Sequence, residues 1–256
     1  MIPRADVLTE AVALPTGDGV MHAYLARPRV TRSHGAIVVA HELFGVTAHI
    51  RDVCERLAAS GLAAHAPDFY HRAQARIELP HDDTGRRRGF AELERLHREQ
   101  VLADAGTAIS YLHDTGVDRV GMLGLSLGGH IAYLAASAHR LQAVAALYPG
   151  WLTNTDIALS RPTPTVDATP AIQARVLLLC GTADHAVSDA DLHQLEAALS
   201  AEGVEHELVT YPDTPHGFLC DRRDRRDRRD RRDTYHAAAA EDAWRRIGEL
   251  FDATVR

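Results

Sequence analysis

Lysine is missing from this chain: every one of its 28 basic residues is arginine. That bias reflects base composition and says little about partners. Cysteine is scarce. Cys54, Cys180 and Cys220 are an odd number and build no disulfide framework, which points to a reducing cytoplasm. Cys54 and Cys180 fall in a helical and a strand pattern, where they read as small buried hydrophobes. Long apolar runs are lacking too. The start, Met1-Ile2-Pro3-Arg4-Ala5-Asp6-Val7, has no stretch of signal-peptide length, and no segment approaches a membrane span, so no membrane association is expected. There is no glycine-rich phosphate loop and no cofactor motif. His81-Asp82-Asp83 has no spaced partner to complete a metal site and reads as a solvated loop. Neither a metal nor an organic cofactor is expected.

What remains is a globular chain of 256 residues, 46% hydrophobic, with a net charge of −7. That suffices for one large core, and 1–256 reads as a single domain. Strand patterns occur at 7–14, 21–26, 36–41, 62–66, 117–123, 143–147, 176–180 and 206–211. Helical periodicity occurs at 50–59, 90–113, 129–138, 189–201 and 236–251. Runs such as Ile37-Val38-Val39-Ala40 and Val176-Leu177-Leu178-Leu179 are apolar throughout, as expected where helices cover both sheet faces. Two leading strands followed by βα units predict an α/β fold with an open, mostly parallel sheet and an antiparallel start. Such sheets bind ligands beyond the carboxyl ends of their strands.

Gly124-Leu125-Ser126-Leu127-Gly128 lies between the apolar run Arg119-Val120-Gly121-Met122-Leu123 and the helix-forming Gly129 to Ala136. A strand turning sharply into a helix strains its central residue, and only small neighbours let the turn close. By chance a bare G-x-S-x-G turns up in roughly one glycine-rich chain of this size in fifteen, but the strand-before and helix-after context makes chance a poor account. Ser126 is therefore the candidate nucleophile, at the amino end of a helix whose dipole favours developing negative charge.

A serine hydroxyl needs a base within hydrogen-bond reach, and that imidazole needs a carboxylate to fix its tautomer. Gly181-Thr182-Ala183-Asp184 follows one core strand, and Pro212-Asp213-Thr214-Pro215-His216 follows the next. Ser126, Asp184 and His216 thus appear in the order Ser…Asp…His, each just past a strand. Asp189 and Asp213 compete with Asp184 for the carboxylate role, and His216 is one of 16 histidines. Trp151, after Tyr148-Pro149-Gly150, has two readings: a wall of the pocket, or packing under the proline-rich stretch 159–170.

His41-Glu42-Leu43-Phe44-Gly45, Pro67-Asp68-Phe69-Tyr70, the Ser126 turn, Gly181-Thr182-Ala183-Asp184 and Pro215-His216-Gly217-Phe218 together resemble the dienelactone hydrolase family. These are α/β-hydrolase-fold enzymes that open unsaturated lactones bearing a carboxylate. The resemblance runs from about Val7 to Phe251. It implies a triad of Ser126, Asp184 and His216, with Glu42 beside the nucleophile and helping to activate it. It implies an oxyanion hole from the N–H groups of Leu43 and Leu127, and it puts Tyr70 at the substrate.

Two departures stand out. The family's usual nucleophile is cysteine, and here the position is Ser126; a hydroxyl cannot be held as a stable alkoxide, so His216 should matter more than Glu42. The family holds the substrate carboxylate with two arginines. Arg86-Arg87-Arg88 offers the first, with Arg86 the candidate ligand, but the second position is Cys220, where Arg222 or Arg223 would have to substitute. On those arginines the pocket is expected to prefer anionic substrates.

Asp221 to Asp233 reads as Asp-Arg-Arg repeated four times and closed by Asp233. It reads as a tandem expansion in a surface loop, tolerated because lengthening a loop costs little, with a lesser role in drawing substrate to the pocket mouth. Interleaved aspartates and an acidic chain argue against nucleic acid as partner.

The expected function is hydrolysis of a small-molecule ester or lactone by a monomer or small homo-oligomer. Attack on a thioester or carbon–carbon bond, or a silent binding protein on the same fold, are the alternatives.

Overall fold

The computed structural model describes residues 6–29, 35–221 and 234–256. Eight strands form one sheet: β1 (Val7–Thr16), β2 (Gly19–Pro28), β3 (Gly35–Ala40), β4 (Ala63–Pro67), β5 (Arg119–Leu125), β6 (Ala143–Leu147), β7 (Arg175–Gly181) and β8 (His206–Tyr211). Their spatial order is β1-β2-β4-β3-β5-β6-β7-β8. β1 and β2 pair antiparallel, β2 meets β4 antiparallel, and every later pairing is parallel. This is the expected architecture, the α/β-hydrolase fold, with all eight strands starting and ending within two residues of the predicted bounds.

Six helices complete the described layers: α1 (Ala48–Ala59), α2 (Asp83–Leu93), α3 (Arg98–Asp114), α4 (Leu127–Ala136), α5 (Asp189–Ala201) and α6 (Ala237–Thr254). The two-residue period of a strand sends alternate side chains to opposite faces. Ile37 and Val39 of β3 pack with Val53 and Leu57 of α1 and with Ile247 and Phe251 of α6. Ala36, Val38 and Ala40 face the other way, toward Ala105 and Ala108 of α3 and Ile131 of α4. Both faces are therefore core, and each fully buried Leu, Ile or Val contributes about 1.5–3 kcal/mol. Every residue of α4 is buried, as its apolar sequence allows.

One helix expectation is corrected. The stretch 90–113 is not continuous: α2 ends at Leu93 and α3 starts at Arg98, with His97 in extended conformation between them. Arg95 N–H donates to Glu92 O and Leu96 N–H to Leu93 O, so a tight turn drops Leu96 into the core beside Leu93. The two leucines keep the i,i+3 spacing of a helix, which is why periodicity reads straight through the break. α2 also starts earlier than predicted, because the Asp82 carboxylate accepts from Gly85 N–H and caps it. Asp82 thus has a capping task at a segment the sequence left as loop.

The repeat beyond Asp221 lies outside the described residues, and so do Arg222 and Arg223. No described helix is long and apolar enough to cross a membrane.

Candidate active site

β5 ends at Leu125 and α4 starts at Leu127, leaving Ser126 alone to turn the chain. Its φ of 55° lies in the left-handed region, a strained position for a residue with a Cβ. The strain persists because the surroundings leave no other path. A Cβ on Gly124 would sit 1.9 Å from Gly128 O, and one on Gly128 would sit 2.0 Å from Ala40 O. Both glycines are therefore required by close backbone approach. Ser126 N–H is tied to Leu147 O at 2.9 Å. Its side chain makes no cap to α4, so Oγ remains available at the positive end of the helix dipole.

Two loops bring partners to that oxygen. His216, five residues past β8, places Nε2 2.9 Å from Ser126 Oγ. Its Nδ1 lies 3.0 and 2.9 Å from the two carboxylate oxygens of Asp184. A carboxylate only accepts, so Nδ1 carries the proton and Nε2 is left to accept from the serine hydroxyl. Asp184 has no exposed side-chain surface, whereas His216 keeps 18%. The aspartate is fixed in turn: its Oδ1 accepts from Ala186 N–H at 2.7 Å and Val187 N–H at 3.2 Å. Of the three competing carboxylates, only Asp184 meets the histidine; Asp189 opens α5 and Asp213 sits in an exposed turn.

Two side chains that sequence reasoning passed over flank the imidazole. Tyr148, held at φ 41°, packs edge-on at 4.9 Å, and His185 does the same at 5.4 Å. Their position directly after β6 and after Asp184 was the only signal available.

The loop after β3 supplies the other wall. Glu42 is buried at 2% exposure and Leu43 at 8%. Among the described residues, no backbone carbonyl accepts the N–H of Leu43 or of Leu127. Leu127 is the first residue of α4, where helix geometry leaves the N–H without an intrahelical partner.

The residues expected at the substrate stand as follows. Tyr70 is buried, and its hydroxyl donates to Leu43 O at 3.0 Å, which ties it to the loop after β3. Burial raises its pKa, which keeps it a donor. Arg86 stands on the exposed side of α2 and pairs with Asp83 at i,i−3. Cys220 is buried, and Arg222 and Arg223, the candidates for the second arginine, lie outside the described residues. Trp151 packs edge-on against Phe90 of α2, with ring centroids 6.2 Å apart.

A strand-to-helix serine after β5, a buried carboxylate after β7 and an imidazole after β8 are the arrangement of an α/β-hydrolase. A sequence profile of the dienelactone hydrolase family matches residues 21–255. The chain is 32% identical over 258 residues to a Synechocystis protein named "Putative carboxymethylenebutenolidase", covering 98% of this chain and 99% of that one. An Escherichia coli K12 protein of the same name is 34% identical, with 97% and 88% covered. The crystal structure of a "Putative Dienelactone Hydrolase" from Klebsiella pneumoniae superposes with a TM-score of 0.83 at 31% identity, covering 96% of this chain and 98% of that one. The chain belongs to the dienelactone hydrolase family and is a hydrolase.

Proposed function

We propose that the chain hydrolyses carboxylic esters or lactones through an acyl-enzyme on Ser126. The observation that carries this reading is the continuous line from Ser126 Oγ to His216 at 2.9 Å and on to the Asp184 carboxylate at 2.9 Å. Oγ attacks the carbonyl carbon while its proton passes to Nε2 of His216. Asp184 accepts the Nδ1–H bond throughout and stabilises the imidazolium that forms. The N–H groups of Leu43 and Leu127 receive the oxyanion. Collapse of the tetrahedral adduct breaks the carbonyl–oxygen bond, and His216 returns the proton to the leaving oxygen. In a lactone that oxygen stays attached through the acyl chain. Water then attacks the acyl-enzyme, giving its proton to the same histidine, and the acid departs as Ser126 regains its hydrogen.

Glu42 serves this reading as electrostatic support at the end of β3, where a buried carboxyl is expensive unless useful. Arg86 pairs with Asp83 on an exposed face of α2, a pair weak enough to yield to a substrate carboxylate, and it remains the candidate cation for anionic substrates. The enzyme acts on small molecules in a reducing cytoplasm, a setting favoured by three buried free thiols.

Substitution at three positions tests the division of labour. With a nitrophenyl ester, Ser126→Ala should lower kcat at least about a thousandfold, and His216→Ala similarly. Glu42→Gln should lower it only about tenfold with the fold intact, because the carboxylate acts at a distance. Full activity in Ser126→Ala would end the reading, and a Glu42→Gln enzyme as inactive as His216→Ala would reassign the base.

A further inference from the structure

His41 follows the last residue of β3 and has no exposed surface. Its Nδ1 lies 2.7 Å from Glu42 O. Its Nε2 accepts the Phe69 N–H at 3.2 Å. A carbonyl only accepts and an amide N–H only donates, so the ring must be the neutral tautomer with its proton on Nδ1. Burial lowers the pKa of His41 and maintains that neutral form. A protonated ring would aim a second N–H at the amide hydrogen of Phe69.

The partner of Nδ1–H matters for the chemistry next door. Glu42 O belongs to the same peptide unit as Leu43 N–H. In a trans peptide the two point in opposite directions, so a donor seated on the carbonyl fixes where the N–H is aimed. Gly45 N–H donates to the same carbonyl at 3.2 Å. The next carbonyl, Leu43 O, receives the Tyr70 hydroxyl. The His41 and Tyr70 rings pack with centroids 4.9 Å apart, and Tyr70 N–H is itself anchored on Asp68 Oδ1 at 3.1 Å. Two consecutive carbonyls of the loop are thus pinned from beneath by side chains of β3's end and of the Pro67–Tyr70 turn.

We propose that His41 is a positioning residue, which through Nδ1–H on Glu42 O holds the Leu43 N–H aimed at the oxyanion of the reaction. The inference rests on the reading that Leu43 N–H is an oxyanion donor, and it assigns to His41 a task that packing alone would not. An accepted hydrogen bond on the carbonyl polarises the peptide and strengthens its N–H as donor by about 10–30%. A preoriented donor needs no reorganisation as charge develops, and one such donor is worth roughly 10²–10³ in kcat. The ground-state carbonyl draws less on it, so loss of aim falls on kcat and spares KM.

The test contrasts two amides of similar polarity. In His41→Asn the side-chain nitrogen takes the place of Nδ1 and keeps the donor on Glu42 O. In His41→Gln the longer amide reaches the Phe69 N–H and leaves Glu42 O without that donor. With a nitrophenyl ester, the expected result is kcat within about threefold of the parent for His41→Asn and about 10–100-fold lower for His41→Gln, with KM within about threefold in both. Equal kcat losses in the two variants, or losses that follow their thermal midpoints, would overturn the proposal. Should either variant fail to fold, the ring ¹⁵N shifts of His41 in the parent protein decide: a protonated Nδ1 with a bare Nε2 is required, and the opposite tautomer refutes the clamp. Labelling of the parent's Ser126 by a fluorophosphonate keeps the two levels apart. Labelling with indistinguishable His41 variants sinks this inference alone, whereas an unlabelled Ser126 sinks the reading beneath it.

Discussion

The turn between β5 and α4 and the loop after β3 meet at the same edge of the sheet, yet they are fixed by different means. Around Ser126 the restraint is steric: Gly124 and Gly128 let three backbone segments touch, and any side chain there would collide with a carbonyl. Around Leu43 close approach by Gly89 is joined by a polar restraint, since His41 and Tyr70 donate to successive carbonyls of the loop. A steric restraint tolerates almost no substitution and is all-or-none. A hydrogen-bonded restraint is graded, since each bond is worth about 0.5–1.5 kcal/mol net. The loop at Leu43 therefore carries, beside its close contacts, a polar component whose geometry substitutions can adjust in steps.

The largest effect that should separate the two regions is that of Gly128→Ala. A Cβ 2.0 Å from Ala40 O has no room, and the contact is with backbone that cannot rotate away. Loss of more than about 4 kcal/mol is expected, read as failure to fold or a collapse of the urea midpoint. A stable, active Gly128→Ala enzyme would show that the turn is held by something other than close approach.

Acid should strike both regions next. His65 in β4 lies just below the turn that carries Tyr70, and His130 lies on α4, tied to Gly150 O and Thr165 Oγ1. Burial lowers each imidazole's pKa to about 4. In the unfolded chain histidine titrates near 6.5, so between these values the unfolded state binds more protons. Stability is therefore full above about pH 6.5 and falls as pH drops toward 4, by roughly 3 kcal/mol for each ring. Both nitrogens of His65 lack hydrogen-bond partners among the described residues, so His65→Leu should remove its share of the slope. Urea unfolding from pH 7.5 to 4.5 measures this, and an unchanged slope in His65→Leu would contradict it.

The smallest effect belongs to the polar side of the site. Tyr70→Phe deletes one hydroxyl from Leu43 O and should lower kcat about fivefold with KM unchanged, matching roughly 1 kcal/mol. A rise in KM at constant kcat would return Tyr70 to the substrate pocket, where the sequence resemblance had put it.

How much of this was legible without coordinates follows from the same contrast. Steric requirements are local: the spacing of Gly124, Ser126 and Gly128 and the apolar run before them announced the turn. Strand alternation and apolar runs likewise gave the sheet and its parallel sense. Asp184 and His216 could be located because a parallel sheet presents its chemistry beyond strand ends, although three aspartates fitted the pattern and only geometry separated them. Polar restraints join residues distant in sequence, as His41 to Phe69 and Leu43 to Tyr70, and no periodicity encodes them. The break between α2 and α3 was hidden because Leu93 and Leu96 satisfy the core and the helix repeat at once. Arg86 fits a carboxylate ligand by residue type, and its exposed i,i+3 partner Asp83 is a neighbour that no periodicity singles out.

The central claim is that Ser126 is the nucleophile and that His216 makes it one. Its most direct measurement is the rate and site of fluorophosphonate modification, followed by mass spectrometry of the protein and of its Ser126 peptide. One adduct per chain on Ser126, forming at least about a thousandfold more slowly in His216→Ala, is the predicted result. A parent enzyme that hydrolyses esters while its Ser126 peptide stays unmodified would contradict the account.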